Sequence, residues 1–207
     1  MPSHEERRRG YAEAAAVIAT AALNFLAETA EGAKGPFLAL ACTGWLAYLV
    51  FRLRREPGLW RTWGFRRDTL GRCGAEASLV GAAALALIVP FAVWRGHFPP
   101  PPSFWVIAAL YPVWGLAQQF LLNALLVRNL RPFLGAPATV AVGAALFSLA
   151  HAPDWPLMGL TFAIALPWVW IYLRHPNLWV LGIWHGILGA AAWYGVLGRD
   201  ALNALAG

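Results

Sequence analysis

Three short runs of residues carry functional chemistry inside otherwise apolar stretches. They are Gln118-Gln119-Phe120-Leu121-Leu122-Asn123, Phe147-Ser148-Leu149-Ala150-His151, and Trp184-His185-Gly186-Ile187-Leu188-Gly189. In helical register Gln119 and Asn123 stand one turn apart on one face, Gln118 points about 100° away, and Phe147 lies one turn from His151. An imidazole has an ordinary pKa near 6.5 and exchanges protons at neutral pH. An amide cannot take up that proton, but it donates and accepts hydrogen bonds and can hold a water or an oxyanion. The plainer reading of the same residues is glue between helices, worth about 1 kcal/mol per hydrogen bond in a membrane. Two histidines and a double amide on three different helices keep the functional reading beside it. The remaining candidates are weaker. His4 lies in a polar tail, His97 in a loop and His175 beside Arg174, all reading as solvated. Asn24 and Thr161 are lone groups able to bond a neighbouring helix or, for Thr161, a carbonyl one turn back. Glu76 suits a helix start.

The elements that must position these residues are membrane helices. The 207 residues are 59% hydrophobic and 13% charged, with a mean hydropathy of +0.55, whereas soluble domains carry about 25% charged residues. Stretches of ~20 apolar residues, the length that crosses a ~30 Å hydrocarbon core, predict an all-α polytopic transmembrane bundle. Seven spans are expected at about 11–30, 36–53, 75–94, 104–127, 137–152, 157–173 and 178–197. The fifth is short and the first is the least apolar, so six spans is the alternative. Residues 1–207 read as a single membrane domain without a soluble linker or repeat. Pro99 to Pro102 make a stiff connector before the fourth span. Arg7-Arg8-Arg9 ahead of Tyr11 to Ala30 could announce a signal peptide, but the stretch is long and lacks a small-residue cleavage site, so a retained first span is expected.

Charge then orients the chain. With the N-terminus in the cytoplasm and alternating spans, thirteen of the sixteen Lys and Arg fall inside, and only Lys34, Arg95 and Arg199 fall outside. That is the positive-inside bias, and an odd span count sends the C-terminus out. The net charge of +6 is therefore not read as nucleic-acid binding, since the basic residues lie between apolar segments and not along one face. Cys42 and Cys73 are expected to stay unpaired, and no metal-site spacing exists. Trp60, Trp63, Trp94, Trp105, Trp155 and Trp179 lie near span ends, where aromatic belts form. A short turn around Arg131 to Ala136 makes the fourth and fifth spans an antiparallel hairpin, in which Gln118 and His151 can face each other. The charge markers set His185 deeper than either.

At these residues the sequence resembles the CAAX protease and bacteriocin-processing (CPBP, or Abi) family of intramembrane proteases. That family's signature is Glu-Glu-x-x-x-Arg on one span, Phe-x-x-x-His on the next and His-x-x-x-Asn on a later one. Order and spacing fit from about Trp105 onward, with 104–197 corresponding to the family core. Phe147 to His151 keeps the second motif, and His185 begins the third. Gln118 and Gln119 stand where the paired glutamates would be, Asn123 where the arginine would be, and Gly189 where the asparagine would be. The resemblance implies hydrolysis of peptide bonds in membrane-associated substrates, in a prokaryotic plasma membrane, with Gln118, Gln119, His151 and His185 as the catalytic set. It assigns Asn123, Phe147 and Gly189 to substrate or positioning roles. In the family a glutamate activates water, a task a buried carboxylate can do and an amide cannot. Activation would then fall to His151 or His185. A metal is possible by the resemblance, but two histidines are a poor cage for Zn²⁺, which normally takes three protein ligands. Asp154 is the one nearby carboxylate and reads as a helix cap, with assistance to a base as the alternative.

Three functions fit these residues. The first is a CPBP-type endopeptidase acting on a membrane-anchored peptide or protein. The second is a non-cleaving relative that binds membrane peptides or acts as a scaffold. The third is a small transporter or proton path, for which neither inverted repeats nor paired broken helices are evident. The expected partners are membrane lipid and a peptide substrate, with no nucleic acid.

Overall fold

A computed structural model describes residues 4–200. The outer ends of the expected 1–207 domain, with the C-terminus whose side the charges predict, lie outside the described residues. The described chain is helical: α1 (His4–Thr29), α2 (Lys34–Arg55), α3 (Leu59–Thr62), α4 (Leu70–Trp94), α5 (Pro102–Gln119), a π-helical segment π1 (Phe120–Val127), α6 (Arg128–Leu149), α7 (Trp155–Arg174), α8 (Leu178–Ala191) and a second π segment π2 (Ala192–Val196). Six stretches are long and apolar enough to cross a membrane, counting Pro102–Leu149 as one of 48 residues. Large apolar side chains such as Leu40, Leu79, Leu87 and Val113 point outward from α2, α4 and α5. The molecule is an all-α integral membrane bundle.

The 48-residue stretch is not one rod. Gly135 adopts φ 73° and ψ 171°, a conformation that only glycine reaches without strain, between Pro132 and Pro137. The chain reverses there, and a Cβ on Gly143 would lie 2.9 Å from the Val127 side chain, a contact that a straight helix would hold more than 20 Å apart at 1.5 Å per residue. The expected fourth and fifth spans are the two arms of this hairpin.

Local sequence explains three helix starts. Pro102 opens α5 after extended Pro101, consistent with proline's fit to a first turn. Asp154 and Asn177 cap α7 and α8 by accepting from Leu157 N and Val180 N, each at 3.2 Å. Three boundaries differ from expectation. α1 begins seven residues earlier than its predicted span, because Glu5 and Arg9 pair one turn apart on a solvated extension. The short α3 has too few residues for a periodic pattern and is held by Trp60 stacked on Phe65, ring centroids 3.7 Å apart. The π segments leave no compositional mark.

The loops gather at two ends. At one, Arg9 pairs with Glu56, Asn177 Nδ2 donates to Arg66 O at 2.6 Å, Thr69 donates to Pro176 O at 2.8 Å, and Arg174 pairs with Glu76. At the other, His97 Nδ1 meets Gly195 O at 3.0 Å, Ser103 donates to Asp200 at 2.8 Å, and Arg199 pairs with Asp154. Neither His97 nor His175 is simply solvated: His175 Nε2 lies 3.4 Å from Glu76. Cys42 and Cys73 are both free, and Thr161 donates to Leu157 O one turn back, at 2.8 Å.

Candidate functional site

Small residues bring α5 and α8 into backbone contact. A Cβ on Gly186 would lie 2.4 Å from Pro112 N, one on Gly115 2.7 Å from Gly182 O, and one on Gly182 2.8 Å from Leu116 Cα. The four-residue spacing of Gly182 and Gly186 presents one flat stripe to the neighbouring helix. At this separation a glutamine side chain spans the gap. Gln119 Nε2 donates to His185 Nδ1 at 2.9 Å, and Asn123 Nδ2 donates to Gln119 Oε1 at 2.6 Å. Gln119 and Asn123 are fully buried and His185 nearly so. With the amide nitrogen of Gln119 facing it, Nδ1 of His185 accepts, and the neutral ring then carries its proton on Nε2.

His151 follows the last turn of α6. Its Nδ1 lies 2.8 Å from Phe147 O. A carbonyl only accepts, so Nδ1 donates and Nε2 of the neutral ring holds a free lone pair. Phe147 sits between the two histidines, nearly perpendicular to both, with ring centroids 4.9 Å from His151 and 5.7 Å from His185. Trp168 and Tyr111 flank His185 from two further helices, at 5.7 and 6.4 Å. The Phe-x-x-x-His spacing thus orients one imidazole through its own helix carbonyl and packs the aromatic ring against the other.

The remaining candidates take different places. Gln118 is half-buried, and its Oε1 has no hydrogen-bond partner. No hydrogen bond joins it to His151, whose Nδ1 is taken by Phe147. Gly189 faces α5, where a Cβ would fall 2.4 Å from the Tyr111 ring. Asp154 spends both oxygens elsewhere, one on the α7 cap and one on Arg199. The Arg199 guanidinium holds its carboxyl below the usual carboxylate range.

Among the described residues no group of three His, Cys, Asp or Glu could hold a metal ion. His185 carries its proton on Nε2 and offers no ring lone pair, which leaves Nε2 of His151 as the free imidazole donor of the pair, so this donor set does not fit a catalytic zinc centre, which needs about three protein ligands.

Sequence reasoning passed over a second buried polar group. Glu13 and Arg52 are 6% and 7% exposed and form an ion pair between α1 and α2. Tyr48 and Asn129 also bond Glu13, at 2.5 and 2.7 Å. The signal was available, because Glu13 lies inside the first expected span, where any carboxylate warrants a partner. Tyr111 and Trp168 carried no such signal, being aromatic residues in apolar helices.

No curated protein and no solved structure matches the chain. A family model does, over residues 99–191, just under half of the chain, a stretch containing Gln118, Gln119, Asn123, Phe147, His151, His185 and Gly189. That family is described as type II CAAX prenyl endopeptidase Rce1-like. This match over residues 99–191 supports the resemblance to the CPBP/CAAX protease family.

Proposed function

We propose that this protein is an intramembrane endopeptidase in which two histidines of opposite hydrogen-bonding character replace the carboxylate base. The supporting observation is the pair of tautomers around Phe147: His151 presents a lone pair on Nε2, and His185 presents an N–H on Nε2. A base and an electrophilic donor are what acyl hydrolysis requires. His151 Nε2 takes a proton from water as the water oxygen attacks the peptide carbonyl. His185 Nε2–H faces the oxyanion that forms. The imidazolium of His151 then gives its proton to the leaving nitrogen as the C–N bond breaks. Gln119 holds His185 in the donor tautomer, Asn123 holds Gln119, and the free Gln118 Oε1 accepts from a substrate backbone N–H. Gly189 and Phe147 shape the wall through Tyr111 and the two rings. No step passes through a metal.

The substrate is a membrane-anchored peptide or protein reached from within the lipid, with no role for nucleic acid. The end bearing Arg9, Arg66 and Arg174 faces the cytoplasm of a prokaryotic cell, which puts the Asp154–Arg199 end outside. The test is cleavage of membrane-anchored peptides by the reconstituted protein. Relative to the parent, His151→Ala is expected to lose about 10²–10⁴-fold in kcat, and His185→Ala a similar factor. Cleavage unchanged in both variants would overturn the assignment.

One observation favours a non-cleaving, peptide-binding relative instead. Gln119 and His185 touch directly at 2.9 Å, which leaves no room for a water between them. Peptide binding by a parent that releases no product above background decides for that reading.

A further inference from the structure

The buried polar group of α1 and α2 ends on the helix that carries the site. Asn129, two residues past π1, donates through Nδ2 to Leu125 O at 2.7 Å and to Glu13 Oε2 at 2.7 Å. Leu125 belongs to π1, which follows Gln119 and contains Asn123. Where a π segment returns to α register its carbonyls change partners, and Asn129 supplies a side-chain donor to one of them. Its amide is gripped from the other side as well. A Cβ on Gly10 would lie 3.0 Å from Asn129 Oδ1, so α1 cradles the group from one turn before Glu13. Tyr11 stacks on Phe133 of α6, centroids 4.7 Å apart, which fixes α1 alongside the same helix.

Glu13 is itself held. Its Oε1 accepts from Tyr48 and from the Arg52 guanidinium of α2, and Arg52 also bonds Glu56 at 3.1 Å. A buried ion pair contributes little net stability against an apolar alternative, and its best-attested use is to specify register. Here the pair sets α1 against α2, and the Glu13–Asn129 bond carries that register to the helix that follows π1.

We infer that Asn129, held by Glu13, is a positioning residue for the polar site: it pins the π1 backbone at Leu125 and so aims Gln119 and Asn123 at His185. Through it the first two spans, outside the stretch that matches the family, set the geometry within that stretch. The inference concerns the arrangement of the site and stands whether or not a peptide is cut there.

The test uses the full chain in lipid nanodiscs with ¹⁵N-labelled histidine. The five histidines are assigned by single substitution, and the ring nitrogens of His185 report the bond from Gln119. Asn129→Ala is expected to shift the His185 Nδ1 resonance toward its non-hydrogen-bonded value while His97 and His175 stay in place. Gly10→Ala, which crowds the Asn129 amide and deletes nothing, is expected to shift the same resonance in the same direction. It decides the question if Asn129→Ala fails to fold. Ser103→Ala removes a 2.8 Å hydrogen bond to Asp200 at the far end of α5 from π1, and is expected to lower Tm without moving His185. The neutral pair Glu13→Gln with Arg52→Gln is expected to restore the parent resonance after the loss caused by Glu13→Gln alone. A His185 resonance unchanged by the folded Asn129 or Gly10 variant, or moved equally by Ser103→Ala, overturns the inference.

Discussion

At the scale of single residues, Gln119 is the side chain on which the site turns. It joins two helices by donating to His185 and accepting from Asn123, and it is fully buried. Gln119→Leu would keep the volume and strip both bonds, leaving His185 Nδ1 and Asn123 Nδ2 unpaired. Each buried orphan costs about 1–3 kcal/mol, so thermal unfolding in detergent is expected to show a clear fall in Tm. Gln118→Leu is expected to leave Tm nearly unchanged, because the Gln118 Oε1 has no partner to lose. Equal effects of the two variants would mean that the amide bridge does not hold the helices. The asymmetry between adjacent glutamines was invisible in the sequence, where both were candidates of equal standing. Helical geometry separated their directions by about 100°, but which direction faced His185 depended on where α8 packed.

At the scale of elements, the decisive feature is the seam between α5 and α8. Glycine at 182 and 186 was required by contact with the backbone of the facing helix at Leu116 and Pro112. Gly186→Ala would push a methyl into Pro112, and overpacking of this kind costs about 1–3 kcal/mol. It is also expected to stretch the Gln119–His185 bond. Gly159→Ala, whose added methyl meets nothing within 4 Å, is the control, with a change expected within about 0.5 kcal/mol. Equal Tm values for the two would show that the seam is looser than these distances. The role of Gly186 was legible in part, since small residues in an apolar helix signal close approach. Its partner was not, because nothing in local sequence pairs α8 with α5, 66 residues away from His185 to Gln119.

At the scale of the whole molecule, two polar clusters hold opposite ends of the bundle. At the Arg199 end, Asp154 both caps α7 and pairs with Arg199, and its carboxyl sits below the ordinary value of 3.8 because of that guanidinium. A depressed carboxyl contributes stability above its unfolded pKa and loses it as pH falls through the lower, folded one. The parent is therefore expected to lose an increment of Tm only on acidification below about pH 4, and Asp154→Asn to lack that increment. Both groups are partly exposed, so the increment is small, about 0.2–1 kcal/mol after solvent screening. Identical acid profiles for parent and variant would show that the clamp contributes nothing in solution.

Composition and apolar run length by themselves determined the class, a helical membrane bundle, because the bilayer thickness dictates how long such a helix must be. The four-residue spacing of Phe147 and His151 determined that they share one helix face, since helical periodicity is local. The capping role of Asp154 was legible for the same reason, lying three residues before Leu157, whose N–H donates to it. The tertiary structure alone decided that Gln119 and not Gln118 meets His185, that Tyr111 fills the space beside Gly189, and that Glu13 reaches Asn129. Each of these depends on which faces of distant helices meet and at what separation. That is set by the packing of the whole bundle and leaves no trace in any local window of sequence.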